Sequence, residues 1–223
     1  MIEGKREISL AVESGFDIQT VFIYEELAKN AGFENTVYIS KSIFDKIAYR
    51  ENSDGLIALA KPKHLRLSEL KLSKNPLIII LESVEKPGNM GAILRTADAA
   101  NADAVIICDP KTDIYNPNVI RSSIGCVFTN QVIAANFDEV LQFLKARKIK
   151  SYAATLTAKK FYTEADLTQP SAIVMGTEAD GLTDKWLSAA DEQIKIPMLG
   201  KIDSLNVSTS CAILTFEAIR QRR

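Results

Sequence analysis

Apolar residues gather in short runs over the second two-thirds of the chain, at 77–81, 104–108, 131–134, 150–155, 171–175 and 193–196. Runs of this length, rich in Val and Ile and bounded by turn-forming or charged residues, predict strands buried on both faces. Between most of them the spacing changes to a helical one, near 90–100, 116–124, 137–147 and 184–190. A last helix follows, with Val207, Cys211, Leu214 and Ala218 repeating along one face. Strands alternating with helices predict a mainly parallel sheet covered on both sides. The first 60 residues read as a smaller α/β lobe. A helix over 3–15 turns Ile8, Ala11 and Val12 inward and is followed by a strand over 20–24. A helix over 25–31 is stopped by Gly32, and a strand over 36–39 leads to a helix capped by Ser40 or Ser42 and running towards Ala48. A strand over 55–60 closes the lobe. The expected organisation is therefore a lobe at 1–60, a linker at 61–75 and a larger α/β domain at 76–223.

Ligands of parallel α/β sheets collect beyond the carboxyl ends of the strands, which directs attention to the loops after Leu81, Met175 and Ile196. Charge narrows the choice little: 27 basic side chains face 28 acidic ones, and residues 1–74 carry 11 of each. Bulk charge provides no steering towards nucleic acid, so an RNA surface has to come from local clustering. Lys61, Lys63, Arg66, Lys71 and Lys74, with the flanking Arg50, form one such cluster, which reads either as a solvated linker or as a nucleic-acid strip. His64 is the only histidine, which excludes zinc sites needing two and argues against Ser-His or Cys-His catalysis. Cys108, Cys126 and Cys211 are scattered and read as reduced, mostly buried thiols. No apolar run approaches the roughly 20 residues of a membrane span. The polar start, Met1 to Arg6, shows no secretory leader, so a cytoplasmic location is expected.

Three loops carry unusual chemistry. In the first, Pro87-Gly88 turns the chain, Asn89 stands where it can cap a helix beginning at Met90, and Arg95 lies almost two turns in. Neither a Gly-Lys-Ser/Thr phosphate loop nor GxGxxG is present. In the second, a buried strand runs into Gly176-Thr177-Glu178-Ala179-Asp180-Gly181, where glycines bracket two carboxylates. Such a pair suits a helix cap, a metal pair or a substrate-binding pair; with no third ligand visible, no metal is expected. In the third, Ser204, Asn206, Ser208 and Ser210 crowd a glycine-bearing loop before a nearly apolar helix, as a pocket wall does.

Together these segments resemble the motifs of the SpoU/TrmH family of RNA ribose 2′-O-methyltransferases, within the SPOUT class: PGNMGAILRTADA, IVMGTEADGL and IPMLGKIDSLNVSTS, in that order across 76–223. Residues 1–60 resemble the family's small substrate-binding lobe, related to a large-subunit ribosomal protein. The resemblance implies a sheet with a C-terminal trefoil knot, S-adenosylmethionine as cofactor, a homodimer, and structured RNA as partner, with rRNA favoured over tRNA. By matching position, Asn89, Arg95, Glu178, Ser204 and Asn206 fall on the catalytic positions. Thr155, Gly176, Ile196, Leu199 and Leu205 fall on the donor-binding ones, and Arg95 and Arg121 on the RNA side, where Arg121 reads equally as one half of a surface salt bridge.

A sulfonium methyl is already a strong electrophile, so its transfer to a ribose hydroxyl needs alignment and a dry site rather than a metal or a covalent intermediate. The family proposal makes the first-motif arginine the base. A guanidinium stays protonated, so Arg95 is expected instead to grip substrate phosphate and orient the hydroxyl. Glu178, or a water it holds, is a candidate proton acceptor, and equally a residue that holds Asn89 in place. Two rival readings are a non-catalytic RNA-binding or ribosome-assembly protein of the same fold, and a nicotinamide-dependent oxidoreductase, which the missing glycine fingerprint disfavours.

Overall fold

The computed structural model describes residues 1–28, 32–50 and 53–223. The small lobe runs β1 (Ile2–Glu3), α1 (Lys5–Glu13), β2 (Ile18–Ile23), β3 (Thr36–Tyr38), α2 (Lys41–Ile47) and β4 (Leu56–Ala60). Its sheet has the order β1-β4-β2-β3. The larger unit runs β5 (Leu77–Glu82), α3 (Pro87–Ala99), β6 (Ala104–Cys108), α4 (Pro117–Ser122), α5 (Cys126–Thr129), β7 (Val132–Ala135), α6 (Phe137–Arg147), β8 (Lys150–Ala154) and β9 (Lys160–Phe161). It continues through β10 (Ser171–Met175), α7 (Asp184–Ala189), β11 (Glu192–Lys195) and α8 (Val207–Gln221). Its strands are ordered β7-β6-β5-β10-β8-β11-β9, and every neighbouring pair is parallel. The expected parallel α/β sheet is thus the one observed.

The alternation along β5 explains its unbroken apolar run. Ile78 and Ile80 face one layer with Val140, Leu144 and Trp186, while Ile79 and Leu81 face the other with Ile93, Leu94 and Leu214. Trp186 is wholly buried, edge-on to Phe137 at 5.1 Å, so the lone tryptophan is a core residue. Cys108 and Cys211 are buried as well, and burial pushes both thiols up to about 12. Since the thiolate is the reactive form, neither should alkylate in the native protein at neutral pH, whereas all three cysteines should do so in denaturant. Mass spectrometry of iodoacetamide-treated peptides checks this.

Several local expectations shift. In α1 the buried stripe is Glu7, Ile8 and Ala11, and Val12 is 45% exposed. The cause is tertiary: Arg50 pairs with Glu7 at 2.5 Å, allowing a charged residue inward and rotating the face. The helix expected over 25–31 falls partly outside the described residues; its described part is one turn, with Leu27 and Ala28 N–H bonded to the Tyr24 carbonyl. The short strands β1 and β9 escape any periodicity, because two residues become a strand only through distant partners. The helix expected over 116–124 is α4, and left-handed Ile124 and Gly125 separate it from the short α5, which the sequence pattern does not predict. Finally, α3 starts at Pro87 with Lys86 as cap residue, because proline's fixed φ suits the first helical position. Asn89 is therefore inside the first turn, with its side chain free for other work.

The lobe and the larger unit share a core. Phe16 packs on Phe128 and Tyr115, at ring separations of 5.0 and 5.9 Å. Residues 61–75 begin exposed and then lie against the sheet, with Leu70 buried and Gln131 exchanging hydrogen bonds with the Lys71 backbone at 2.8 and 2.9 Å.

Candidate active site

The order of the sheet places a switch point at β5, because the chain continues outward through α3 to β6 while β10 lies on the other side of β5. Beyond the carboxyl ends of the strands on the β10 side of that point, a crevice opens over β10, β8 and β11. The loops after β8, β10 and β11, with the start of α8, enclose a cavity of about 370 Å³. Its buried apolar lining comes from Met175, Ile194, Val207 and Leu214, while its exposed edge carries Leu205, Glu178, Asp180 and Asp203.

The second loop is a tight hairpin. Thr177 and Gly181 exchange backbone hydrogen bonds at 2.9 and 3.2 Å, and Gly181 takes a φ of 71°, which favours glycine. The hairpin presents Glu178 to the other two loops. One carboxylate oxygen, Oε1, accepts from Asn89 Nδ2 at 2.6 Å and from Asn206 Nδ2 at 2.7 Å, while Lys86 pairs with Oε2. Asn206 Nδ2 also lies 3.1 Å from Asn89 Oδ1, closing a triangle. Asn206 is itself the cap residue of α8, its Oδ1 accepting from the Ser208 N–H at 2.9 Å and the Ser208 hydroxyl at 2.6 Å. The bonds from Lys86 and then Asn89 hold the Glu178 carboxyl below the ordinary glutamate value, against a smaller opposing effect of burial.

Thr155, Gly176, Glu178, Ile196, Ser204 and Leu205 all line the cavity, and Asn89 and Asn206 join it through Glu178. Three other positions lie elsewhere. The Leu199 side chain is 95% exposed and outside the lining. Arg95 is exposed on α3, about 9 Å along the helix axis from Asn89, and has no ion-pair partner among the described residues. Arg121 borders a small gap between the lobe and α4, beside Tyr49 and Arg50. Two residues given no role in the sequence reading belong to the site: Lys86, the partner of Glu178, and Met198 in the wall. Only the lysine left a signal, a charge next to the Pro-Gly turn, and its partner is 92 residues away.

Residues 76–216 match the SpoU rRNA methylase family, and residues 1–58 match the MRM3-like substrate binding domain. The chain belongs to the SpoU rRNA methylase family. A relative, the 23S rRNA (guanosine-2′-O-)-methyltransferase RlmB of Vibrio cholerae, is 35% identical over 82% of this chain and 77% of its own length. A solved RNA 2′-O ribose methyltransferase is 42% identical, with a TM-score of 0.86 over 99% of this chain and 87% of that one. AviRb, a SpoU methyltransferase of Streptomyces viridochromogenes solved with the cofactor AdoMet, is 26% identical with a TM-score of 0.92, over 99% of this chain and 89% of its own.

The cavity of this SpoU-family chain fits that cofactor. Its volume falls in the range of roughly 300–1,000 Å³ usual for small-molecule sites. Its buried apolar lining suits a flat purine, and the three carboxylates at its exposed edge suit a cationic ligand.

Proposed function

We propose that this protein methylates the 2′-hydroxyl of a ribose in ribosomal RNA, using S-adenosylmethionine as donor. The observation that carries the reading is the meeting of three chain segments, from α3, the β10 hairpin and the start of α8, in one hydrogen-bonded triangle at the mouth of a donor-sized cavity. Bound S-adenosylmethionine supplies the electrophilic methyl group; the protein's residues hold both partners in line and exclude water. Thr155, Gly176, Ile196 and Leu205 form the donor wall, and Leu199 contributes through its backbone. Ser204 presents a hydroxyl to the ribose. Asn89 and Asn206 are held by Glu178, whose lowered pKa makes it a weaker base and a better anchor. Arg95 and Arg121 grip RNA phosphates.

The division into a substrate lobe at 1–60, a linker at 61–75 and a catalytic domain at 76–223 goes with this reading, as does a trefoil knot in the chain around the second and third loops. A homodimer is supported by Leu199 and Ile202, apolar side chains left 95% and 69% exposed on the third loop. Free cysteines and an RNA substrate suit the cytoplasm.

The decisive measurement is transfer of tritiated methyl into total RNA from cells lacking the protein, followed by mapping of the alkali-resistant linkage. Methyl found on a base would overturn the reaction. The role of Arg95 has its own test. Lysine keeps the charge but loses the planar fork, so Arg95→Lys should lower kcat/KM for RNA by about tenfold or more. Near-normal turnover in steady-state assays would refute the phosphate grip.

A further inference from the structure

A second connection joins the same two segments that meet at Asn89 and Glu178, and it is buried. Glu82, the last residue of β5, is 3% exposed. Its Oε2 accepts the Thr183 backbone N–H at 2.8 Å and its Oε1 accepts the Thr183 hydroxyl at 2.6 Å, across 101 residues. Both carboxylate oxygens are therefore committed to one residue, immediately beyond the hairpin. Thr183 stands at the cap position of α7, where a threonine hydroxyl usually accepts from the helix's first free N–H groups. Here it makes no such bond and donates to Glu82 instead. A buried carboxylate is costly unless well hydrogen-bonded, and this one is bonded to Thr183 alone among the described residues.

We infer that Glu82 is a positioning residue: through Thr183 it clamps the trailing end of the 176–182 hairpin, and so sets where Glu178 and the donor wall stand relative to Asn89. The hairpin transmits the clamp because it is stiff. Thr177 and Gly181 are paired through their backbones, and the Asp180 N–H bonds to the Thr177 hydroxyl at 3.0 Å. Glu82 and Asn89 lie on one stretch of chain, from β5 into α3; Glu178 and Thr183 lie on the other. The buried tie at one end thus limits how far the exposed contacts at the other can drift. Glu82 touches neither cavity nor triangle and acts only through Thr183.

The inference rests on the proposed donor site, and its test separates the two. Thr183→Val keeps the shape of the side chain and the backbone N–H but removes the hydroxyl; Thr183→Ser restores a hydroxyl; Glu82→Gln removes the charge. Hydrogen–deuterium exchange on the full chain without donor reads the clamp directly. Thr183→Val and Glu82→Gln should speed exchange at 177–182 about tenfold or more, with the remaining sheet unchanged and Thr183→Ser close to the parent protein. Calorimetry should show donor binding weakened about tenfold in Thr183→Val and recovered in Thr183→Ser. Unchanged exchange at the hairpin in both Thr183→Val and Glu82→Gln would overturn the clamp, as would general unfolding of Thr183→Val with Glu82→Gln indistinguishable from the parent. Failure of the parent protein to bind S-adenosylmethionine would overturn the donor site instead, while the exchange result would still decide the clamp.

Discussion

Glu178→Ala should lower kcat by about 10–100-fold, and Glu178→Gln by much less. The difference follows from which oxygen does what. Both asparagine amides donate to Oε1, and only Lys86 meets Oε2. A glutamine can keep its own carbonyl oxygen in the Oε1 place, preserving both amide bonds and giving up only an exposed ion pair, whose worth is about 0–1 kcal/mol. An alanine releases both amides at once. If Glu178 were the proton acceptor, the two variants would fail alike, since general-base catalysis is worth about 10²–10⁴-fold and glutamine supplies none. Lys86 and Asn89 depress the folded-state pKa of this group. The charged form and its ion pair with Lys86 are thus present above the ordinary glutamate value and are lost only as pH falls through the lower, folded one. As an anchor Glu178 should accordingly give only a shallow acid limb in kcat, below the ordinary glutamate range and absent in Glu178→Gln, whereas a base would give a full one. Steady-state assays of both variants across pH decide between anchor and base.

Gly176→Ala should abolish most donor binding while leaving the protein folded. A Cβ at Gly176 would sit 2.1 Å from the Gly181 carbonyl carbon, 2.2 Å from its oxygen and 2.4 Å from the Leu182 nitrogen. All three are backbone atoms, so no side-chain rotation relieves the clash, and the hairpin itself has to move. Overpacking of this kind costs about 1–3 kcal/mol of stability. Gly176 through Gly181 also form one wall of the cavity, and a displacement of about 1 Å in a positioning element can cost about 10²-fold in rate. Calorimetric titration with S-adenosylmethionine should therefore show affinity reduced more than about tenfold, beside a moderately lowered Tm. Gly88→Ala provides the contrast, because a methyl group there meets nothing within 4 Å; its Tm should match that of the parent protein.

The parallel sheet was legible because each strand buries two faces, which writes a continuous apolar run such as Leu77–Leu81 into the sequence, and because the helices between them keep their period. The three loops were legible for a related reason: glycines, amides and carboxylates stand at the ends of buried strands, where ordinary turns need no such crowd. Resemblance to a family then supplied what neither pattern nor spacing contains, the donor and the RNA. The burial of Glu7 was hidden, since nothing local marks Arg50 as its partner 43 residues away. The local pattern offers Asn89 as a helix cap, while the family resemblance makes it a catalytic position that Glu178 can hold; the start of α3 at Pro87 leaves its side chain free for that bond.

The sequence by itself determined the elements, the identity of the polar groups and the absence of an imidazole pair, since all of these depend on residue type and on neighbours within a turn or two. Only the tertiary structure decided that Asn89, Glu178 and Asn206 share one hydrogen-bonded triangle, that Lys86 pairs with it, and that Arg95 lies exposed outside the cavity lining. Those contacts join residues up to 117 positions apart. They exist only after the sheet has ordered its strands so that the ends of β5 and β10 are neighbours, and no local periodicity encodes that ordering.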